Sequence, residues 1–291
     1  MKIPCQDIAL HLKGVLSHEV ELLRAKNIHP KLVTVLIGSA PEQLSFVRIK
    51  RRVAQEIGVD FELVHLEEEP SFEQCEEIVA SKAQDSATTA MIIQQPLPAS
   101  FSSEILYRHI PPHKEIEGHR ADSSFHFPLS LAVAAGLKYV ALAEAGHDNP
   151  VDQSFVSFDQ DKELLATFLE NKRVVVVGRG ITGGKPIAKL LQEVGCEPII
   201  VHTKTQDALD QYIKADIIIT ATGKHILSPV MIKKGAILLN VGLRKENGFL
   251  KGDYDEQEMD STASYYTQTP SGLGPLDVLY LFQNTIQAAR S

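Results

Sequence analysis

Three glycines with the spacing of a phosphate-binding turn lie beyond the middle of the chain. Gly178, Gly180 and Gly183 follow four consecutive valines, Val174–Val177, and precede a segment with helical spacing of apolar residues. Small residues between a buried strand and a helix let the backbone approach a phosphate, and the N–H groups at the helix start favour an anion there. The spacing predicts a dinucleotide site, although an ordinary tight turn between strand and helix has the same pattern.

The next predicted strand indicates which dinucleotide would bind. It runs from 198 to 202 and leads into Thr203, Lys204 and Thr205, with no acidic residue at its tip. Sites for NAD usually have an acid there, on the ribose hydroxyl, whereas sites for NADP have a cation. We therefore predict NADP, with Arg179 and Lys204 on the extra phosphate and the two threonines as hydroxyl donors. The alternative is that Lys204 is a solvated loop cation.

Both halves of the chain, which must position these residues, are predicted to have an α/β fold. Aliphatic, β-branched runs alternate with segments of helical spacing, which is typical of a doubly wound parallel sheet. Two later strands end in close turns, one at Thr222 and Gly223 and one at Gly242. The predicted helices cover about 7–27, 45–57, 71–82, 128–142, 187–194 and 276–289; the strands cover about 31–38, 61–65, 90–94, 174–177, 198–202, 216–220 and 235–242; a turn is predicted at 39–42 and an acidic loop at 67–69.

Composition excludes several classes of protein. The chain has 291 residues, 44% hydrophobic and 23% charged, which is enough for two globular domains. Its net charge of −8 and the lack of a long basic run argue against nucleic acid or an anionic membrane as a partner. No segment reaches the roughly 20 apolar residues of a membrane span. The three widely spaced cysteines suit reduced thiols and offer no metal-ligand spacing. We expect a soluble, cytoplasmic protein.

Six stretches, in order along the chain, resemble the motifs of one enzyme family. They cover residues 45–50, 94–98, 114–118, 178–186, 202–205 and 267–275. Together they resemble the bifunctional methylenetetrahydrofolate dehydrogenase/cyclohydrolase family over most of the chain. Six matches in the family's order argue against a chance resemblance, and also against one that reflects only a shared dinucleotide-binding fold.

The resemblance implies two α/β domains with a catalytic cleft between them. A folate-binding domain would comprise residues 1–127 and 268–291, and a Rossmann-like NADP-binding domain residues 128–267. The implied reaction oxidises methylenetetrahydrofolate to methenyltetrahydrofolate with NADP and then hydrolyses it to formyltetrahydrofolate, in one-carbon metabolism. The implied partners are tetrahydrofolate derivatives and a second copy of the chain in a homodimer.

The resemblance also assigns roles to residues. Lys50 would manage protons as water adds and the ring opens, Gln94 would hold Lys50 by a hydrogen bond, and Glu117 would accept two N–H bonds from the pterin edge. Without the family, Lys50 is better interpreted as a surface cation, and Glu117 could as well be a solvated loop acid. The other expected folate contacts are Phe46, Pro96, Leu97, Pro270 and Gly272, and the expected cofactor contacts are Gly178, Arg179, Gly180, Thr182, His202, Thr203, Lys204, Thr205, Thr222, Gly223 and Gly242.

Several of these positions depart from the family's pattern. Phe46 stands where the family has tyrosine, so ring stacking is retained and a hydroxyl group near Lys50 is lost. Glu117 replaces aspartate and Gly180 replaces serine. Two alternatives therefore stay open, a dehydrogenase without the hydrolytic step and a folate- or NADP-binding protein without catalysis. Retention of Lys50 and Gln94 argues against the second alternative.

Overall fold

The computed structural model describes residues 1–67 and 70–290, so that Glu68 and Glu69 of the predicted acidic loop lie outside the described residues. The helices are α1 (Cys5–Ala25), α2 (Pro41–Ile57), α3 (Phe72–Gln84), α4 (Ser103–Arg108), α5 (Pro128–Glu144), α6 (Pro150–Gln153), α7 (Phe158–Leu169), α8 (Gly184–Glu193), α9 (Ala208–Lys214), α10 (Glu256–Met259) and α11 (Leu273–Ala288). The strands are β1 (Lys31–Ile37), β2 (Asp60–Leu66), β3 (Ala90–Ile93), β4 (Val174–Val177), β5 (Ile199–Val201), β6 (Ile217–Thr220), β7 (Ile237–Asn240), β8 (Arg244–Glu246), β9 (Phe249–Lys251) and β10 (Tyr265–Tyr266). No helix in this described part of the chain is long and apolar enough to cross a bilayer.

The chain forms two compact units, which we name by their predicted site residues. The glycine-turn unit comprises Met1–His11 and Leu129–Asp277, and the Lys50 unit comprises Leu12–Pro128 and Val278–Ser291. The two predicted domains are defined by the ligand that each would bind rather than by packing. They are the folate-binding domain, 1–127 with 268–291, and the NADP-binding domain, 128–267. That assignment therefore stays a prediction.

The Lys50 unit is built on a three-stranded parallel sheet in the order β2-β1-β3. The central strand β1 pairs with β2 from Lys31 opposite Asp60, and with β3 from Leu32 opposite Ala90. One face of this sheet packs against buried side chains of α3 and α4. The sheet thereby fixes the carboxyl end of β3, where the chain leads directly into Gln94.

Helix α2 begins earlier than the sequence predicts. The prediction of a turn at 39–42 is wrong for residues 41 and 42, because the helix starts at Pro41. Proline is favourable at the first helical position, where its missing N–H has no intrahelical partner to lose. The helix ends as predicted before Gly58, whose φ of 81° lies in the left-handed region. Lys50 consequently lies well inside a regular helix.

The glycine-turn unit contains a five-stranded parallel sheet in the order β10-β7-β6-β4-β5. Strands β4, β6 and β7 are buried at every residue, as expected for parallel strands covered on both faces. The chain passes from β4 to β5 on one side and then to β6 on the other, so the strand order reverses beside β4. Ligands of such sheets bind outside the carboxyl ends of the strands at this reversal, and the doubly wound prediction is confirmed.

Several elements were not predicted from the sequence. They are α4, α6, α7, α9, α10, the β8–β9 hairpin and the edge strand β10. Strand β10 has only two residues, which is too few to give a periodic pattern. It exists because Tyr265 and Tyr266 pair with β7, and because Tyr266 also exchanges backbone hydrogen bonds with Met1 and Ile3. Such pairing is set by contacts distant in sequence.

Candidate active site

Lys50 and Gln94 are hydrogen-bonded partners. The Lys50 ammonium group, on α2, donates to Gln94 Oε1 at 2.9 Å, and the Gln94 amide donates in turn to the Gln95 carbonyl oxygen at 2.9 Å. A second side chain of α2, Gln43, donates to the Pro96 carbonyl oxygen at 2.7 Å. These bonds attach the turn after β3 to α2. Gln94 is buried, so its amide is fixed in one orientation by the bonds it makes.

Glu117 lies in the electrostatic field of Lys50. Only 16% of its side chain is exposed. Burial raises the pKa of the Glu117 carboxyl, while the nearby Lys50 charge and a hydrogen bond from Tyr107 act to lower it. The structure thus brings together Lys50, Gln94 and Glu117, three residues distant in the sequence. Their roles in a reaction stay predictions.

The loop that carries Glu117 is shaped by the fully buried carboxylate of Glu115. It accepts the backbone N–H of Glu117 at 2.9 Å and that of Arg120 at 3.2 Å. Burial raises the pKa of the Glu115 carboxyl. The preceding Lys114 has a structural role, because its ammonium group donates at 2.8 Å to the carbonyl oxygens of Ala83 and Asp85 at the end of α3.

The apolar residues predicted to touch folate differ in their surroundings. The Phe46 side chain lies one helical turn before Lys50 on α2 and is 44% exposed. Pro96 is also exposed, whereas Leu97 packs against the core cluster of the Lys50 unit. Phe46 and Pro96 are therefore accessible to a ligand, while Leu97 also contributes to packing.

The glycine turn makes two close backbone approaches. Gly178, with φ of 114°, lies so near the carboxyl end of β6 that a Cβ would be 2.5 Å from the Ala221 carbonyl oxygen. A Cβ on Gly184, the first residue of α8, would be 2.0 Å from the Gly178 carbonyl oxygen, whereas one on Gly180 would have no neighbour within 4 Å. Gly184 is not one of the three glycines of the motif, but the turn has no room for a side chain at this position.

Hydrogen bonds close the glycine turn and leave its side chains outside. The Gly180 carbonyl oxygen accepts the N–H groups of Gly183 at 3.2 Å and Lys185 at 3.1 Å. Arg179 and Thr182 are exposed. The turn therefore presents a cation and a hydroxyl group at the carboxyl end of β4.

The end of the neighbouring strand β5 forms a second small turn. The His202 N–H donates to Thr205 Oγ1 at 3.0 Å, the Thr205 N–H donates to the His202 carbonyl oxygen at 2.9 Å, and the Lys204 N–H donates to His202 Nδ1 at 3.1 Å. The side chains of Thr203 and Lys204 are exposed. His202 and Thr205 thus shape the turn, while Thr203 and Lys204 are presented at its surface.

The predicted cofactor residues Thr222, Gly223 and Gly242 are arranged around a carboxylate that the sequence did not reveal. Asp253, which is fully buried, accepts the Thr222 N–H at 2.8 Å, the Thr222 hydroxyl at 2.9 Å and the Lys224 N–H at 3.0 Å. A Cβ on Gly242 would be 2.2 Å from this carboxylate, and one on Gly223 would be 2.9 Å from a backbone oxygen. The Thr222 hydroxyl is thus used to hold the loop.

Asn240, at the carboxyl end of β7, joins this loop to the turn that contains Pro270. Its amide donates to the Gly242 carbonyl oxygen at 2.9 Å and to Thr269 Oγ1 at 2.8 Å, and its oxygen accepts from the Asp253 N–H at 2.8 Å. Pro270 itself is exposed.

Gly272 is required by the turn in which it lies. A Cβ there would be 2.2 Å from the Gln268 carbonyl oxygen. Pro270 and Gly272, predicted to touch folate, belong to the glycine-turn unit, whereas the predicted folate residues Phe46, Lys50 and Glu117 belong to the Lys50 unit.

Sequence reasoning missed five residues that shape these regions: Glu115, Tyr107, His119, Asn240 and Asp253. Glu115 lies inside a recognised motif, and Asn240 is a polar residue at the carboxyl end of a buried parallel strand, which is itself a signal of a site. The other three have no local signal, because their positions depend on contacts with distant segments.

The five-stranded sheet with its glycine turn defines the glycine-turn unit as a Rossmann-like α/β domain. Comparison with known families agrees with this class. Residues 163–291 match the model of the tetrahydrofolate dehydrogenase/cyclohydrolase NAD(P)-binding domain, and residues 3–117 match that of the tetrahydrofolate dehydrogenase/cyclohydrolase catalytic domain. The chain belongs to the tetrahydrofolate dehydrogenase/cyclohydrolase family.

Individual relatives are similar over nearly their whole length. The bifunctional protein FolD of Bacillus licheniformis is 32% identical over 287 residues, which cover 98% of this chain and 95% of the relative. The crystal structure of the bifunctional FolD enzyme of Campylobacter jejuni has a TM-score of 0.86 and 25% identity, covering 100% of this chain and 98% of that one. The Trypanosoma brucei enzyme, solved with NADP cofactor and inhibitor, has a TM-score of 0.80 and 26% identity, covering 100% and 97%.

Proposed function

We propose that this protein oxidises methylenetetrahydrofolate with NADP and hydrolyses the resulting methenyltetrahydrofolate to formyltetrahydrofolate, within one-carbon metabolism. The observation that carries the proposal is the 2.9 Å hydrogen bond between Lys50 and Gln94, with the partly buried Glu117 in the field of the Lys50 charge. A protein that only bound its ligands would have no need to fix an ammonium group in this way.

The glycine turn fits a dinucleotide. The close approach of Gly184 to Gly178 leaves no room for a side chain and so keeps the backbone of the turn accessible to a phosphate group. Arg179 and Lys204, exposed at the ends of the neighbouring strands β4 and β5, would hold the 2′-phosphate that distinguishes NADP from NAD. When bound, NADP supplies the oxidising power of the first step by accepting a hydride.

In the first step the protein has to orient its ligand. Glu117 would accept two N–H bonds from the pterin edge, and the exposed ring of Phe46 would stack on the ligand. Orientation of this kind supplies much of a hydride-transfer enzyme's effect, since no protein proton is required.

In the second step water adds to the methenyl carbon, loses a proton, and one carbon–nitrogen bond of the imidazoline ring opens. Lys50, the ammonium group that donates to Gln94, would give a proton to the ring nitrogen that leaves, and the neutral amine so formed would take up a proton from the added water. The second proton of the water would pass to solvent. The Gln94 oxygen keeps the Lys50 nitrogen at one place during the transfer.

The exposed Phe46 favours a second candidate, a dehydrogenase that lacks the hydrolytic step. Phenylalanine offers a stacking face and no hydroxyl group to assist Lys50. In that case methenyltetrahydrofolate would be the final product.

We further propose that the protein acts in the cytoplasm as a homodimer, on folates rather than on nucleic acid or membranes. Three free cysteines, two of them buried, suit a reducing compartment. The net charge of −8 opposes binding to polyanions.

The test follows NADPH and methenyltetrahydrofolate separately after mixing the protein with methylenetetrahydrofolate and NADP. We expect NADPH to form without build-up of methenyltetrahydrofolate. Lys50→Met should abolish methenyl hydrolysis while leaving NADP binding intact, and Lys26→Met, which removes an exposed lysine of the same unit, should behave as wild type. Hydrolysis retained in Lys50→Met would refute the role of Lys50. Accumulation of methenyltetrahydrofolate in the wild type would establish the dehydrogenase alternative, and absence of NADPH would refute both.

A further inference from the structure

Two aromatic side chains that the proposed reaction does not use lie against the Glu117 carboxyl. His119 Nε2 is 3.7 Å from Glu117 Oε2. The imidazole stacks on the ring of Tyr107 with centroids 4.4 Å apart and planes inclined by 27°, and it meets Phe127 edge-on at 5.1 Å. The His119 ring is thus held between two other rings, with one nitrogen directed toward Glu117.

The Tyr107 hydroxyl holds the same carboxyl from another side. Tyr107 is buried on α4, and its hydroxyl group donates to the Ile93 carbonyl oxygen at 3.2 Å. The same hydroxyl acts on the Glu117 carboxyl, whose pKa it lowers. A tyrosine hydroxyl has one proton to donate and can also accept. It can therefore donate to an ionised Glu117, or accept from a protonated Glu117 while donating to Ile93, so the carboxyl stays held in either state.

The groups that face Glu117 come from three segments: Lys50 from α2, Tyr107 from α4, and Glu115 and His119 from its own loop. Burial lowers the pKa of His119, so its ring is neutral near pH 7. Among the described residues, His119 Nε2 has no hydrogen-bond partner, and 3.7 Å is too long for a hydrogen bond to Glu117. The imidazole therefore acts through the dipole of its nitrogen-bearing edge, which favours one orientation of the Glu117 carboxyl.

We infer that Tyr107 and His119 are positioning residues that fix the Glu117 carboxyl for recognition of the aminopyrimidinone edge of a folate. The inference rests on the proposed function, in which Glu117 meets that edge. A carboxylate that accepts two parallel N–H bonds needs a defined plane. Glutamate has one more rotatable bond than aspartate, so this plane requires support from neighbouring side chains.

The experiment measures binding of tetrahydrofolate and, separately, of NADP by titration calorimetry between pH 5.5 and 8.5. Calorimetry is suitable because the chain has no tryptophan to serve as a fluorescent probe. The variants are Tyr107→Phe, which keeps the stacked ring, His119→Phe, which keeps an aromatic ring and removes both nitrogens, and Glu117→Gln. The control is Tyr212→Phe, which also replaces a buried tyrosine but lies in the core of the glycine-turn unit.

Tyr107→Phe should weaken tetrahydrofolate binding about tenfold, because binding must then order a carboxyl group that the free protein no longer holds in place. It should also move the pH midpoint of binding upward, because the donor that lowers the pKa of Glu117 is gone. His119→Phe should weaken binding about threefold, because the carboxyl loses only part of what fixes its orientation, and neither variant should change NADP binding. A merely structural role would leave the pH midpoint where it is in the wild type.

The outcomes separate this inference from the proposed function. If Glu117→Gln weakens tetrahydrofolate binding while Tyr107→Phe and His119→Phe bind as wild type with the same pH midpoint, the positioning role is overturned and the proposed function stands. If Tyr107→Phe does not fold, unchanged binding in His119→Phe overturns the inference by itself. If the wild type does not bind tetrahydrofolate, the proposed function and the inference fail together.

Discussion

Replacement of Gly184 by alanine should displace the backbone of the glycine turn. The added Cβ would lie 2.0 Å from the Gly178 carbonyl oxygen and 2.6 Å from its carbonyl carbon. Ordinary contacts begin at 3.4 Å, so the Cβ–oxygen separation must increase from 2.0 to 3.4 Å, that is by 1.4 Å. Both atoms contacted are backbone atoms, which no rotamer change can move away.

The free-energy cost of this displacement can be estimated from substitutions that add atoms to a tightly packed region. An extra carbon in a tightly packed region costs about 2 kcal/mol, which in a domain of this size lowers Tm by about 4–8 °C. If the shift also removes a single hydrogen bond between the turn and a charged phosphate, NADP binds about tenfold or more weakly. Methylenetetrahydrofolate oxidation at low NADP concentration should fall by a similar factor.

The assays are thermal unfolding without ligand and calorimetric titration with NADP. Two matched glycine-to-alanine changes provide the comparison. Gly180→Ala is in the same turn but has no atom within 4 Å of the new Cβ, so its Tm should stay within about 2 °C of the wild type. Gly14→Ala, inside helix α1 and equally open, should raise stability slightly. A Gly184→Ala protein with wild-type Tm and wild-type NADP affinity would refute the steric argument.

Three further changes test other parts of the structure. Lys204→Ala should weaken NADP binding about tenfold in calorimetry and leave NAD binding within twofold of the wild type. The reason is that the exposed ammonium group would contact only the extra phosphate of NADP. An equal loss of affinity for both cofactors would contradict the assignment. Phe46→Tyr should raise the rate of methenyltetrahydrofolate hydrolysis if a missing hydroxyl limits that step, and an unchanged rate means that the hydroxyl is not limiting. Asp253→Asn should lower the free energy of unfolding in urea by about 2 kcal/mol, because an amide N–H would face backbone N–H groups in a buried site. The control is Asp255→Asn, which should leave the free energy of unfolding nearly unchanged, since asparagine caps a helix as well as aspartate does. An equal loss of stability in the two variants would contradict the special role of Asp253.

Much of the fold could be predicted because its signals are local. The valines of β4 and the isoleucines of β6 are continuous apolar runs, and each is followed by residues that favour a turn. The confirmed family also rests on short motifs, each complete within a few residues. Where an element lacks a local pattern, as in the two-residue strand β10, the sequence predicted nothing.

The sequence by itself determined the class of the sheet, the place of the glycine turn and the family. Tertiary structure alone decided that Gly184 makes the closest approach, that Thr222 is held by Asp253, and that Glu117 lies among Lys50, Tyr107 and His119. The physical reason is the range of the contacts: Thr222 and Asp253 are 31 residues apart, and Lys50 and Gln94 are 44 apart. Periodicity and spacing describe neighbours along the chain, whereas the surroundings of a buried carboxyl are set by segments that meet only when the chain has folded.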